Sequence, residues 1–247
     1  MRKALKNGIS VLFWLAVWQL AAMAANRSLL LLPIPTPVDT ARALCRMAAE
    51  GGFWLTLGAS LLRICAGFAL ALLAGGAGAA ASARWPLFRQ LAAPLVQLIR
   101  AIPVAVFTIV VFLWVSRPYI PSTIVFLTVL PIVWSNVETG LENADRHLSE
   151  MARVFGMSRR AILRQITLPG IRPYVSAAVT TGLGFAWKSG IAAEVICRTQ
   201  GSLGDLLWSG KATVSYDEVF ALTAVIVLCS ALLQRAFSGP KRREAAP

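Results

Sequence analysis

The chain is short of charge, and shorter still of acid. Of 247 residues only 11 are Asp or Glu, against 24 Lys and Arg, and charged residues make up 14% of the whole. There is one histidine, His147, in a charged stretch. No Ser-His-Asp set can be assembled, and His147 reads as a solvated loop residue, so nothing is built for covalent chemistry. The four cysteines, Cys45, Cys65, Cys197 and Cys229, are scattered and form no CxxC pair. That excludes a zinc-type cluster and a disulfide framework, and leaves them as small apolar packing residues. No GxxxxGK[ST] loop occurs, so the chain cannot cradle a nucleotide by that device.

What is abundant is apolar surface. Apolar residues make up 57% and mean hydropathy is +0.67, which marks a membrane chain rather than a soluble domain with a large core. A formal charge of +13 would suit a nucleic-acid binder. The charges, however, cluster between apolar runs, as loops on the cytoplasmic side of a membrane do. The reading is an all-α integral membrane fold with about six transmembrane helices and no nucleic-acid partner.

Residues 1–25 form a basic leader (Arg2, Lys3, Lys6) and a first apolar run. A signal peptide is the rival, since Ala22 and Ala24, or Ala24 with its neighbours, can imitate a cleavage site. The run of ~18 uncharged residues is long for a signal core and at the lower edge of a span, which favours a retained first helix. Residues 26–52 form an outer linker with Pro33, Pro35 and Pro37, followed by an amphipathic helix over 38–50. The core domain, 53–237, holds five more apolar regions, at 53–81, 91–115, 122–137, 173–196 and 219–237. Within 91–115 the crossing part is placed at 102–115, with Arg100 near the cytoplasmic end. Arg63 and Arg100 are expected near membrane faces, in contact with other helices or lipid. The Ala- and Gly-rich stretch 66–81 lets helix backbones approach closely, although Gly75 and Gly76 can loosen the helix. Residues 198–218 form an outer segment in which Leu206, Leu207 and Trp208 suggest a surface helix. Residues 238–247 are a basic tail.

Charge asymmetry sets the orientation. Fifteen Lys and Arg fall on the side of the termini and six on the other, with Arg63, Arg100 and Lys188 in or at the edges of spans. Both termini are therefore placed in the cytoplasm of a cell whose inner (plasma) membrane holds the chain.

One cytoplasmic loop, 138–172, carries the strongest pattern. Asp145 can cap a short helix with Leu148, Met151, Val154 and Phe155 at helical spacing. Gly156 suits the left-handed residue that ends it. Ser158 can cap a second helix bearing Ile162, Leu163 and Ile166, which Pro169 is expected to stop. Six arginines and one carboxylate, Glu150, lie between residues 146 and 172.

Glu150, Ala152, Gly156, Ile166, Leu168 and Pro169 resemble the "EAA" loop of ABC-importer permeases: Glu-Ala-Ala, three residues, Gly, nine residues, Ile-x-Leu-Pro. Met151 stands where the pattern has its first Ala. The resemblance runs from about Pro33 to the last span, and includes Arg100-x-x-Pro103 and Ala-Ala-Glu at 192–194. It is nearest to the group importing nitrate, sulfonates, taurine, bicarbonate and thiamine-pyrimidine precursors. The resemblance implies a type I ABC importer permease fold and a homodimer. It implies ATP bound and hydrolysed on a separate ATPase subunit, an external substrate-binding protein, and no cofactor on this chain. It assigns the ATPase contact to Glu150, Ala152, Phe155, Gly156, Ser158, Arg159, Ile166, Leu168 and Pro169. Glu150 would stabilise the first helix or its docked pose, Ala152 would keep the contact face small, Gly156 would make the turn, and Leu168 and Pro169 would fix the join to the fifth span. Arg159, Arg160 and Arg164 would pair with acids of the partner or with anionic lipid.

Lys188 and Glu194 are the two charges well inside a span, and such charges face a cavity or a partner. Six residues apart, they do not share a helix face. Lys188, where the permease group is expected to have an apolar residue, is a candidate for lining the translocation path. Glu194 and its face-mate Trp187 are further candidates; the alternative is a structural pairing with a neighbouring helix. A stand-alone secondary transporter or channel is the competing function, and it would need a coupling carboxylate, for which Glu194 is the sole candidate in a span.

Overall fold

The computed structural model describes residues 2–27 and 33–237, which are mostly helical, with no strand among them. The basic tail and part of the outer linker, 28–32, lie outside the described residues.

The helices are α1 (Arg2–Arg27), α2 (Pro37–Ala49), α3 (Gly51–Arg84), α4 (Pro86–Ala101), α5 (Val104–Phe112), α6 (Ile120–Glu142), α7 (Arg146–Val154), α8 (Arg159–Ile162), α9 (Leu168–Cys197), α10 (Leu203–Ala212) and α11 (Tyr216–Phe237). Four of them, α1 from Gly8, α3, α6 with its preceding turn, and α11, are long and apolar enough to cross a membrane. A fifth passage is added if α4 and α5 count as one, and these two meet at 103°. The break falls at Ile102, which Pro103 holds away from helical backbone. This corrects the straight crossing placed at 102–115: nine residues of α5 rise only about 14 Å, half of a ~30 Å hydrocarbon core.

The fifth expected span is present as α9, 30 residues long, but it is not apolar enough to count by composition. Its position explains why. It packs against α3, α5, α6, α10 and α11, so much of its surface meets protein rather than lipid and can carry Gly, Ser and Thr.

The core is the α3–α6–α9 triple. Ile64, Phe68 and Ala71 of α3 meet Val125, Val129 and Val133 of α6 and Trp187 and Ile191 of α9. In a bilayer the hydrophobic effect does not favour such faces over lipid, so close packing must hold them. Each atom pair contributes only ~0.1–0.2 kcal/mol, and a gap of an ångström forfeits much of it. Small residues make the approach possible. A Cβ on Gly67 would lie 2.3 Å from the Ser122 carbonyl oxygen, and one on Gly75 would lie 2.9 Å from Val133 Cβ. Gly75 and Gly76 do not loosen α3, which runs unbroken to Arg84.

Pro169 does not stop the second loop helix. The chain runs through a π-helical turn at Leu163–Thr167 directly into α9. In that turn Leu168 N–H reaches back to the Leu163 carbonyl. The wider spacing relieves the ladder just where proline lacks a donor and its ring crowds the preceding turn.

Outside the triple, α1 lies against α2, with Trp18 beside Phe220 of α11 at 5.8 Å between ring centroids. Asn26, near the end of α1, makes two bonds with the Ile34 backbone, at 2.9 and 2.8 Å. The amphipathic α2 is fixed to α11 by Arg46 and Asp217, 2.6 Å apart. The expected surface helix is α10, but it is not merely superficial: Leu203 is fully buried and joins the main core.

Candidate functional site

The loop between α6 and α9 is a hairpin whose geometry is set by three local devices. The Asp145 carboxylate accepts from Leu148 N–H at 2.9 Å and caps α7. At the other end Gly156 has φ +78°. Its N–H donates to the Arg153 carbonyl, and Met157 N–H to the Ala152 carbonyl, both at 3.0 Å. That pair of bonds is the Schellman closure. Ser158 Oγ then accepts from Ala161 N–H at 3.3 Å and caps α8.

The hairpin turns Ala152 and Ile162 inward and the large apolar residues of α7 outward. Ala152 and Ile162 are buried, whereas Val154 and Phe155 are 86% and 80% exposed. Leu148 and Met151, on the same side of α7, are exposed as well. Ala152, expected on a contact face, instead sits inside the turn. Glu150, Ser158, Arg159, Leu168 and Pro169 are exposed and Ile166 is half-buried. The result is an apolar ridge rimmed by arginines, on a helix that packs mainly on α8 and the π-turn.

The path candidates separate. Trp187 is buried and donates from Nε1 to the Ile226 carbonyl at 2.9 Å. Glu194 is fully buried. Its Oε2 accepts from Ser60 Oγ at 2.9 Å and from Gly204 N–H at 3.3 Å, and Arg63 lies 3.9 Å from Oε1. Ser60 Oγ in turn accepts from Leu203 N–H at 2.9 Å. Glu194 thus sits at the N-terminus of α10, where a carboxylate is favoured by the free N–H groups. Lys188 alone of the three is exposed, on a strip of α9 shared with Thr181 and Phe185.

That strip borders a cleft the sequence did not disclose. About 380 Å³ in volume, it lies beside the α4–α5 break and is lined by Arg100, Ile102, Thr128, Ser135, Asn136 and Thr181, among others. A second cavity of about 190 Å³ shares Arg100 and Ser135 and adds Arg89, Gln97, Trp134 and Glu138. Arg89 is neutralised there: it pairs with Glu138 at 3.0 Å and with Glu142. Arg100 pairs with no carboxylate among the described residues, and its Nη2 donates to the Pro131 carbonyl at 2.6 Å. The expected helix contacts of Arg63 and Arg100 are therefore both present.

A helical bundle with several helices long and apolar enough to cross a membrane, an exposed hairpin at one loop and a cleft between helices is the form of a multi-pass membrane protein. The chain belongs to the family of binding-protein-dependent transport system inner membrane components, whose pattern it matches over residues 67–237. It is thus a permease of the ABC importer type and not an enzyme. It is 28% identical over 235 residues to the taurine transport system permease protein TauC of Escherichia coli (strain K12), covering 93% of this chain and 84% of that protein. It is 32% identical over 228 residues to the putative aliphatic sulfonates transport permease protein SsuC of the same organism, covering 88% and 81%. The nitrate import permease protein NrtB of Leptolyngbya laminosa is 24% identical over 240 residues, covering 94% and 85%. Two solved structures share the fold. One is an amino acid ABC transporter with histidines, at TM-score 0.60 and 15% identity over 81% of this chain and 92% of that one. The other is the inward-facing MetNI methionine ABC transporter, at 0.52 and 21% over 83% and 96%.

Proposed function

We propose that this chain forms the translocation path of an ATP-driven importer for a small anionic or strongly polar solute, of the sulfonate, taurine, nitrate or bicarbonate kind. The pathway is built from two copies of the chain, six passages each with α4–α5 and α9 included, and both termini are cytoplasmic. The first helix is retained: its packing on α2 and α11 gives it a structural place. An external binding protein delivers solute, and a separate subunit binds and hydrolyses ATP.

The observation that carries this reading is the exposed ridge of Leu148, Met151, Val154 and Phe155 on a hairpin whose own turn is fully bonded. An amphipathic helix of this kind fits a groove on a separate protein. Glu150, Ser158 and Arg159 form its polar rim, and Ile166, Leu168 and Pro169 carry its motion through the π-turn into α9. Lys188 lines the path, while Trp187 and Glu194 hold the wall from behind. The burial of Glu194 against Ser60 and Gly204 also argues against a stand-alone ion-coupled transporter, because that carboxylate does not face the cleft.

Co-purification tests the reading. Native chain extracted in mild detergent is expected to bring an ATP-hydrolysing subunit with it, and Gly156→Asp to lose it. A native chain that emerges alone from an otherwise intact complex overturns the proposal.

A further inference from the structure

We propose that Arg100 is the anion-selecting group of the cleft, presenting its guanidinium to a small oxyanion where the lining mixes Thr128, Ser135, Asn136 and Thr181 with apolar residues such as Ile132 and Phe185. This inference deepens the oxyanion-importer reading and rests on it.

A charge inside a span costs ~2.5–3.5 kcal/mol on insertion scales, so it is kept where a partner or a polar cavity compensates. Three arginines of α3 and α4, of which Arg89 and Arg100 are exposed and Arg63 half-buried, differ in what compensates them. Arg89 has Glu138 and Glu142. Arg63 has Glu194 and the Gly201 and Gln200 carbonyls, at 3.2 and 3.4 Å. Arg100 has the Pro131 carbonyl, taken by one nitrogen of a group with five N–H donors. Arg100 lines both cavities, and it and Ser135 are the residues those cavities share.

The chemistry that matches is a planar or tetrahedral oxyanion. A guanidinium offers two parallel N–H groups to two oxygens of one nitrate, sulfonate or bicarbonate, which a lysine ammonium cannot do. The Pro131 carbonyl, which also accepts from Ser135 Oγ at 3.1 Å, holds the guanidinium from the side and orients it. Lys188 acts differently: it lies on the α9 strip beyond Phe185, as a point charge that attracts anions without reading their shape.

The test uses the complete importer, with its ATPase and binding protein, in vesicles. Radiolabelled taurine, ethanesulfonate, nitrate and bicarbonate are the probes, and solute moved per ATP hydrolysed is the readout. Arg100→Gln is expected to lower that ratio at least tenfold, and Arg100→Lys to fall between it and the native chain. A ratio within twofold of native for Arg100→Gln overturns the proposal, as does a parallel loss of uptake and hydrolysis, since a structural defect lowers both together. If Arg100→Gln is not recovered in the membrane, Arg100→Lys decides: an undiminished ratio overturns the proposal, and a reduced one supports it. A native importer that hydrolyses ATP but moves none of the four solutes fails the oxyanion reading itself, and this inference falls with it.

Discussion

Gly204 lies so close to Glu194 that position 204 does not tolerate growth. A Cβ on Gly204 would lie 2.5 Å from both the carbonyl carbon and the Cβ of Glu194, while the Gly204 N–H donates to Glu194 Oε2 at 3.3 Å. The carboxylate joins the end of α9 to the start of α10 and, through Ser60, to α3. Gly204→Ala meets backbone, which cannot swing aside. It is expected to destabilise the bundle by about 1–3 kcal/mol, the usual range for overpacking. Thermal unfolding of the purified chain in detergent measures it; an unchanged midpoint would show that α10 is not held against α9.

The seam between α3 and α6 makes a paired prediction. Gly67→Ala would press a methyl onto the Ser122 carbonyl, whereas a Cβ on Gly76 meets nothing within 4 Å. Both sit in the same helix, so both gain ~0.5–1 kcal/mol of helix propensity. Gly67→Ala is expected to lower the unfolding temperature and Gly76→Ala to leave or raise it. Equal shifts would mean that the two helices do not approach as described.

In the hairpin, conformation and surface separate. Gly156 has open space around its missing Cβ but a left-handed backbone, so Gly156→Ala costs the local turn ~1–2 kcal/mol by strain alone. Phe155→Ser alters an exposed ring and is expected to change the stability of the isolated chain by no more than about 0.5 kcal/mol. Yet it should sharply reduce recovery of the ATPase subunit. Loss of thermal stability with Phe155→Ser would place that ring in the chain's own packing.

Acid should loosen the start of α2. Thr36 Oγ1 donates to Asp39 at 2.7 Å and Thr36 N–H at 3.2 Å. The side-chain bond first, then the backbone bond, holds the Asp39 carboxyl below its ordinary range. A depressed folded value means the contribution is present above the unfolded pKa, about 3.9, and is lost as pH falls through the lower folded one. Amide exchange at residues 38–41 should therefore speed up below about pH 4, and Asp39→Asn should flatten that dependence. Exchange insensitive to pH in the native chain, after correction for the intrinsic rate, would contradict the cap.

The hairpin was legible because everything that shapes it is local: a capping Asp145, a glycine where the helix must reverse, and a capping Ser158 two residues on. Its exposed ridge was not, because periodicity alone cannot tell an apolar face that meets its own chain from one that meets another. The fate of Pro169 is hidden from the sequence for a related reason. Proline removes a donor, but a π-turn upstream absorbs the loss, and no residue type announces that turn. Glu194 and its partner Ser60 lie 134 residues apart, so the sequence showed a costly charge without its compensation. The cleft beside Arg100 depends on a 103° bend; Pro103 marked the place of the break but not its angle.

The central claim is that the α7 ridge lies in a groove of a separate ATPase subunit. The most direct measurement places a photoreactive side chain at position 155 in intact membranes, with position 62, an exposed leucine of α3, as the control. The account predicts an adduct from position 155 with an ATP-binding subunit, weakened by Gly156→Asp, and lipid adducts only from position 62. Lipid adducts from position 155 in membranes that still hold the assembled, ATP-hydrolysing importer would contradict it.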